Sequence, residues 1–284
     1  MARHPEDLVL GADVSSLPDI YQRISRAVDD PLSTSADIGR IISEDTGLSA
    51  RLLRIVNSPF YGFPSKIETI SRAVTIIGTR QLRDLALATS IVKMFEGVSS
   101  DLVDMEKFWR HSVACGVAAR ILGTYQRYPN VERLFVASLL HDIGRLILYL
   151  QVPQEARRAL TAAREEGRLV RDVEEEVLGF DHADVGRALL KFWKLPPSLV
   201  EAVTYHHRPR RAMLFPVEAA TAHLADFIVN ARQLGTSGER FVPPLDADAW
   251  RTLGLSVNVL SPVLAQLERQ YKDVVAMIIP VYCS

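Results

Sequence analysis

Several histidines and aspartates along this chain have the chemistry and the setting of metal ligands. His141 and Asp142 stand side by side inside the apolar run Leu139-Leu140-His141-Asp142-Ile143-Gly144. Burying an imidazole and a carboxylate there is costly unless something pairs them. A divalent cation would satisfy both, and Asp142 could bridge two ions while His141 ligates one. His111 lies one helix earlier, in Phe108-Trp109-Arg110-His111-Ser112. His182 opens a helix, the pair His206-His207 ends one, and Asp226 sits in an apolar helical surround. Each helix thus offers one or two N/O donors, which is how helical bundles build metal sites in their cores. A His/Asp set with no thiolate pattern suits Fe, Mn, Co, Ni, Mg or octahedral Zn rather than a tetrahedral structural zinc.

The bland explanations differ from residue to residue. His4 reads as a surface histidine. His223 shares a helix face with Asp226, three residues on, and reads as structural. His206-His207 could be a solvated helix end whose charge complements the dipole. Taken singly each residue suits an ordinary role; the ordered series His…His-Asp…His…His-His…Asp points to a shared site.

The elements that must position these side chains are helices. Ile38, Ile41 and Ile42, then Leu48, Leu52, Leu53 and Val56, recur at spacings of three and four. Ser33-Thr34-Ser35, Thr69 and Thr79 stand where helices should start. No alternating β-branched run bounded by hairpin turns is present, so the expected fold is all-α. Helices are expected at about 104–125, 131–150 and 256–278. Asn57 to Ser65 is a loop dense in turn formers and aromatics, and Gly97 to Asp101 reads as a linker. The expected organisation is an N-terminal tail (1–14), a helical lobe (15–100), a metal-site helical domain (101–232) and a C-terminal helical extension (233–284).

Composition narrows the function classes. The chain has 284 residues, 48% of them hydrophobic and 24% charged, enough to bury a large core without disulfides. Lys plus Arg is 33 and Asp plus Glu is 34, a net charge of −1. That balance argues against nucleic-acid binding driven by bulk charge, and nucleic acid is not an expected partner. The two cysteines, Cys115 and Cys283, make no disulfide framework and fit a reducing cytoplasm. No apolar h-region follows the N-terminus and no uninterrupted apolar run reaches the ~20 residues of a membrane span, so no membrane partner is expected.

The ordered series resembles the HD superfamily of metal-dependent phosphohydrolases, named for a doublet like His141-Asp142. Leu17-Pro18, the run Asp45 to Leu53, and Val56-Asn57-Ser58-Pro59-Phe60-Tyr61-Gly62 resemble the N-terminal half of the HDOD family. So do Ile67 to Ile70, Ala73-Val74 and Ile77-Gly78, and the likeness extends over roughly residues 15–230. The resemblance implies an all-helical fold acting in bacterial signal transduction, often as a regulatory or protein-interaction module whose metal ligands are lost. Here the ligand series is nearly complete. Carried over, it implies metal ligands at His111, His141, Asp142, His182, His206, His207 and Asp226, holding two divalent ions, Fe, Mn or similar. Compared with the HD-GYP phosphodiesterases, Lys107 stands where they carry a Glu, with Glu106 one position off, so two ions are implied rather than three. Arg208-Pro209-Arg210-Arg211 follows His207 where they carry Gly-Tyr-Pro, which weighs against cyclic-di-GMP hydrolysis. Two functions follow as expectations. One is a signalling module whose partner is a protein or a nucleotide second messenger. The other is a phosphohydrolase of nucleotides or phosphodiesters, with Asp142 bridging the ions and Arg145, three residues on, held ready for a phosphate.

Overall fold

The computed structural model describes residues 4–12, 16–95 and 101–279, and every regular element among them is helical. Most of the linker expected at 97–101, and Cys283, lie outside the described residues. The helices are α1 (Pro5–Gly11), α2 (Asp19–Asp29), α3 (Ser35–Glu44), α4 (Thr46–Val56), α5 (Ile70–Ile77) and α6 (Thr79–Met94). There follow α7 (Met105–Gln126), α8 (Val131–Leu139), α9 (Ile143–Gln151), α10 (Pro153–Glu166), α11 (Val170–Leu178) and α12 (His182–Phe192). The remainder are α13 (Pro197–Tyr205), α14 (Pro216–Ala231), α15 (Ala247–Leu253) and α16 (Leu260–Ile278). Contacts divide the chain into two units, one of residues 16–97 and 265–284, the other of residues 1–15 and 98–264.

In the first unit the apolar stripes seen in the sequence meet. Ile24, Ile38, Ile42, Leu48, Leu52, Leu82 and Leu85 are buried. Thr34 caps α3 in a reciprocal box with Asp37, and Asp45 and Thr69 cap α4 and α5 through the N–H three residues on. Thr79 is instead the first residue of α6, behind Gly78 with φ at +100°. The Asn57 loop folds back on its own unit. The Asn57 amide donates to the carbonyls of Leu53 (2.8 Å) and Ile67 (2.7 Å), and its oxygen accepts from the Ile67 N–H at 2.7 Å. Phe60 is buried and Tyr61 stacks on Phe63. Asn57→Ala is expected to lower stability by about 1–2 kcal/mol, since the two partly buried bonds to Ile67 contribute about 1 kcal/mol each. A urea midpoint equal to wild type would show that the loop holds without them.

The second unit holds all the candidate ligands. Here α7 packs on α8 and α14, α9 on α12, and α13 on α12 and α14. The stretch 1–14 is not all tail: α1 begins at Pro5, buries Leu8 and Val9, and packs on α12 and α9. Val131–Gln151 is apolar enough to cross a membrane by composition, yet 89% of its most apolar window is buried in the fold. The helix expected over 131–150 is in fact two. It breaks at residues 140–142, where the Ile143 N–H bonds to the Leu140 carbonyl and the Arg145 N–H to the Asp142 carbonyl. These are tight three-residue turns, and apolar residues flank them on both sides, so periodicity runs through the break unseen. The break turns His141 and Asp142 out of the helical ladder and into the centre of the unit.

Candidate metal centre

Outer hydrogen bonds aim three of the candidate histidines. The His141 Nδ1–H donates to the Ser138 carbonyl at 2.7 Å, and the His206 Nδ1–H to the Val203 carbonyl at 2.7 Å. His182 Nδ1 meets Glu174 Oε2 at 2.5 Å, and the same oxygen accepts the His182 backbone N–H at 3.0 Å. A neutral imidazole that donates through Nδ1 carries a lone pair on Nε2. The Nε2 atoms of His141 and His206 are buried with no hydrogen-bond partner. Buried, unpartnered nitrogens aimed inward and locked by an outer hydrogen bond are, once neutral, the arrangement of metal-ligating histidines.

The donors fall into two adjacent groups. Ligand atoms of His111, Cys115, His141 and Asp226 lie within 4.8 Å of one another, as do those of Asp142, His182, His206 and His207. Asp142 joins the groups. Its Oδ2 is 3.2 Å from His141 Nε2 and 3.8 Å from His111 Nε2, while its Oδ1 is 2.9 Å from His182 Nε2 and 3.8 Å from His206 Nε2. Asp226 Oδ1 lies 3.2 Å from His111 Nε2 and 3.5 Å from His141 Nε2. In the other group His207 Nε2 faces His182 Nε2 at 2.9 Å. The structure therefore brings together all seven residues that the sequence offered as candidate ligands. Each group offers donors of the kind that could hold a divalent cation.

Charge accounts for the protonation. Burial opposes an imidazolium at His141, but Asp142 and Asp226 outweigh it and hold that pKa up to about 10. At His182 burial and Arg145 are overcome by Glu174 and Asp142, which hold it up to about 9. Burial, with neighbouring imidazoles, pushes His206 and His207 well below the usual range. Despite burial, His141, Arg145 and His182 hold the Asp142 carboxyl well below its usual range, and the nearby imidazoles of His111 and His141 do the same for Asp226. The set alone balances two carboxylates with protons on His141 and His182.

Other expected residues take outer places. The Arg145 guanidinium is 1% exposed; its Nε donates to Asp142 Oδ1 at 3.3 Å, and one terminal nitrogen lies 3.9 Å from Glu174 Oε1. Glu106 and Lys107 are exposed and pair with Arg110 and Asp104. Arg208 pairs with Glu175, and Arg210 with Asp246 and Asp248, so these two arginines of the basic cluster are already engaged.

Among the residues that support the centre, His223 has the structural role read from the sequence, whereas Glu174 and Cys115 escape a reading of sequence alone. Glu174 sits in the run Glu174-Glu175-Glu176, which looks like a solvated face, yet it is buried and orients His182. The His223 Nδ1–H donates to the His206 carbonyl at 2.8 Å and its Nε2 accepts from the Asp246 N–H at 2.9 Å, so it anchors the backbone of a candidate ligand. Cys115 lies with Sγ 3.6 Å from His111 Nε2, and burial with the nearby Asp226 and Asp142 pushes its thiol pKa well up. Its sulfur thus stands among the donor atoms of that group, although no thiolate pattern in the sequence marked it.

One close approach lets α9 meet α12. A Cβ built on Gly144 would lie 2.6 Å from the Gly186 nitrogen and closer still to the His182 carbonyl oxygen. Gly144→Ala must push His182 away from Asp142 and is expected to cost about 1–3 kcal/mol, the usual range for overpacking. A denaturant midpoint matching wild type would show that the two helices part freely.

A model of the HDOD domain matches residues 14–209. The chain belongs to the HDOD family. An uncharacterized protein of Treponema pallidum is 26% identical over 199 residues, which span 69% of this chain but 38% of that relative. The HDOD structure of a Geobacter sulfurreducens protein of unknown function superposes with a TM-score of 0.78 at 24% identity, over 99% of both chains. A Shewanella amazonensis protein, provisionally named a phosphohydrolase, superposes with a TM-score of 0.75 at 24% identity, over 96% of this chain and 97% of that one. A third, from Marinobacter aquaeolei and provisionally named a signal transduction protein, gives 0.74 at 19%, over 98% of this chain and 61% of that one. These structures share the all-helical HDOD fold. Asp226 lies beyond the matched residues.

Proposed function

We propose that this chain is a regulatory HDOD module of bacterial, cytoplasmic signal transduction, built around a dinuclear divalent-metal centre. The observation that carries the metal reading is Asp142, which turns one carboxylate oxygen to each of two groups of imidazoles. His111, His141, His182, His206, His207 and Asp226 would complete the two sites, with Fe or Mn as ions suited to such donors.

Enclosure favours regulation over turnover. His111, His141, Asp142, His182, His206 and Asp226 are each at most 5% exposed, and among the ligands His207 alone is only half-buried. A catalytic metal keeps a position open to substrate, whereas a structural one is closed by protein. The partner would be a signalling protein or a nucleotide second messenger that reads the state of this centre. The test is thermal stability of the metal-loaded protein against a panel of nucleotides and cyclic dinucleotides. Stabilisation by one of them with no turnover is the expected result, and multiple turnover of any of them would overturn it.

The shared carboxylate also supports a second reading, a phosphohydrolase of nucleotides or phosphodiesters. Two bound divalent ions would supply Lewis acidity and a metal-activated water at neutral pH. Asp142 would hold both ions, and Arg145 would balance the charge of Asp142 and Glu174 from behind. Substrate would approach past His207. Hydrolysis of bis-p-nitrophenyl phosphate by the Mn-loaded protein, lost in Asp142→Asn, would establish this reading in place of the first.

A further inference from the structure

Beyond the seven ligands, a segment distant in sequence reaches the centre. Residues 234–240 follow α14 and are fixed at every step. The Thr236 N–H donates to the Lys107 carbonyl on α7 at 3.1 Å. The Tyr149 hydroxyl, on α9, donates to the Ser237 carbonyl at 2.7 Å. The Thr236 hydroxyl donates to the Glu239 carbonyl at 2.6 Å, and the Glu239 carboxylate accepts the Val170 N–H of α11 at 2.9 Å. Gly235 has φ at +82°, and a Cβ there would lie 2.5 Å from the His111 backbone nitrogen and closer to the Lys107 carbonyl, so only glycine lets the segment lie this near α7. This scaffolding presents one side chain. Ser237 is 1% exposed, and its hydroxyl donates to Asp142 Oδ2.

We propose that Ser237 is a positioning residue of the metal centre, holding the bridging carboxylate of Asp142 at the angle that gives each ion one oxygen. The proposal rests on the dinuclear reading. A carboxylate with one oxygen directed to each group can still turn about its Cβ–Cγ bond. Arg145 Nε donates to Oδ1 and Ser237 to Oδ2, so one outer donor restrains each oxygen. Each oxygen keeps a lone pair for the inner side. Without Ser237 only the Arg145 end is held, and the Oδ2 side, shared with His111, His141 and Asp226, loses its alignment. Outer hydrogen bonds of this kind are worth about 10- to 100-fold in metal affinity.

The test is extraction of Mn(II) by a chelator from the reconstituted full chain, followed by the rate of release and the stoichiometry. Ser237→Ala is expected to release Mn(II) about 10- to 100-fold faster than wild type. Ser237→Thr keeps the hydroxyl and is expected to stay near wild type. Ser198→Ala removes another buried hydroxyl of the same unit, one without a hydrogen-bond partner, and is expected to leave release unchanged. Faster release in Ser237→Ala that threonine rescues and Ser198→Ala lacks supports the assignment. Equal release in wild type and Ser237→Ala, both holding two ions, overturns the role of Ser237 and leaves the dinuclear reading standing. A shift shared with Ser198→Ala, or not rescued by threonine, marks general loosening and also overturns it. Fewer than two ions in wild type overturns the dinuclear reading and the proposal with it.

Discussion

Replacing Asp142 with alanine is expected to empty the centre of both ions at once, while paired substitutions on either side remove one. The wild-type protein should retain about two equivalents of a transition metal, one for each ion of a carboxylate-bridged pair. His111→Ala with Asp226→Ala takes two donors from one group, and His206→Ala with His207→Ala takes two from the other. Each double variant should keep about one equivalent, because the untouched group retains its imidazoles and one Asp142 oxygen. Asp142→Ala, alone or with His141→Ala, should keep essentially none, since each group loses its share of the bridging carboxylate. Asp142→Asn preserves the shape of the side chain and separates loss of ligation from loss of fold. Elemental analysis of the purified variants decides the matter. Wild-type metal content in Asp142→Ala would discredit the assigned bridge. Loss of all metal from both paired variants would point to a single site rather than two.

The sequence makes the kind of fold plain, because helical periodicity and side-chain caps are local. Thr34 and Thr69 cap helices where a capping residue meets an apolar stripe, and the segments matching the HDOD pattern fall within the family match. The candidate ligands were also legible, since an imidazole beside a carboxylate in an apolar run is conspicuous. What the sequence could not show is how the chain turns to present them. The break before Asp142 leaves the apolar period intact, so two helices read as one. Glu174 is eight residues from the histidine it orients and hides in a run of three glutamates. Ser237 is 95 residues from Asp142, in a stretch of Gly, Ser and Thr that looks like any surface loop. Support for a ligand comes from whichever element packs behind it, and packing partners carry no mark of each other in a single sequence. The arginines show the converse. Arg145 looks like a phosphate anchor by spacing, yet tertiary structure turns its guanidinium onto Asp142 and Glu174.

Metal is expected to stabilise this protein more at pH 9 than at pH 6.5, because binding must displace protons that the fold itself holds. His141 titrates at about 10 and His182 at about 9 in the folded chain, against 6.5 for a free imidazole. A raised pKa means the folded state holds the proton more tightly than the unfolded state does. That contribution is full below about pH 6.5 and is lost as pH rises toward 9 and 10. The metal-free protein should therefore lose thermal stability over this window. His206 and His207 have the opposite sign: burial keeps them neutral, so below about pH 6.5 the unfolded chain takes up protons the folded one refuses. Stability without metal should thus be greatest near pH 6.5 and fall on both sides. A divalent ion held by these residues would replace the protons on His141 and His182, so its affinity would rise as those protons become easier to remove. At a hundredfold excess over its dissociation constant an ion contributes about 2.7 kcal/mol, and that excess grows with pH at fixed metal. Melting temperatures between pH 5.5 and 9, with chelator and with Mn(II), measure both curves. A metal-induced gain that stays constant across the range would mean that no proton leaves the centre on binding, which the pairing of His141 with Asp142 and of His182 with Glu174 does not permit.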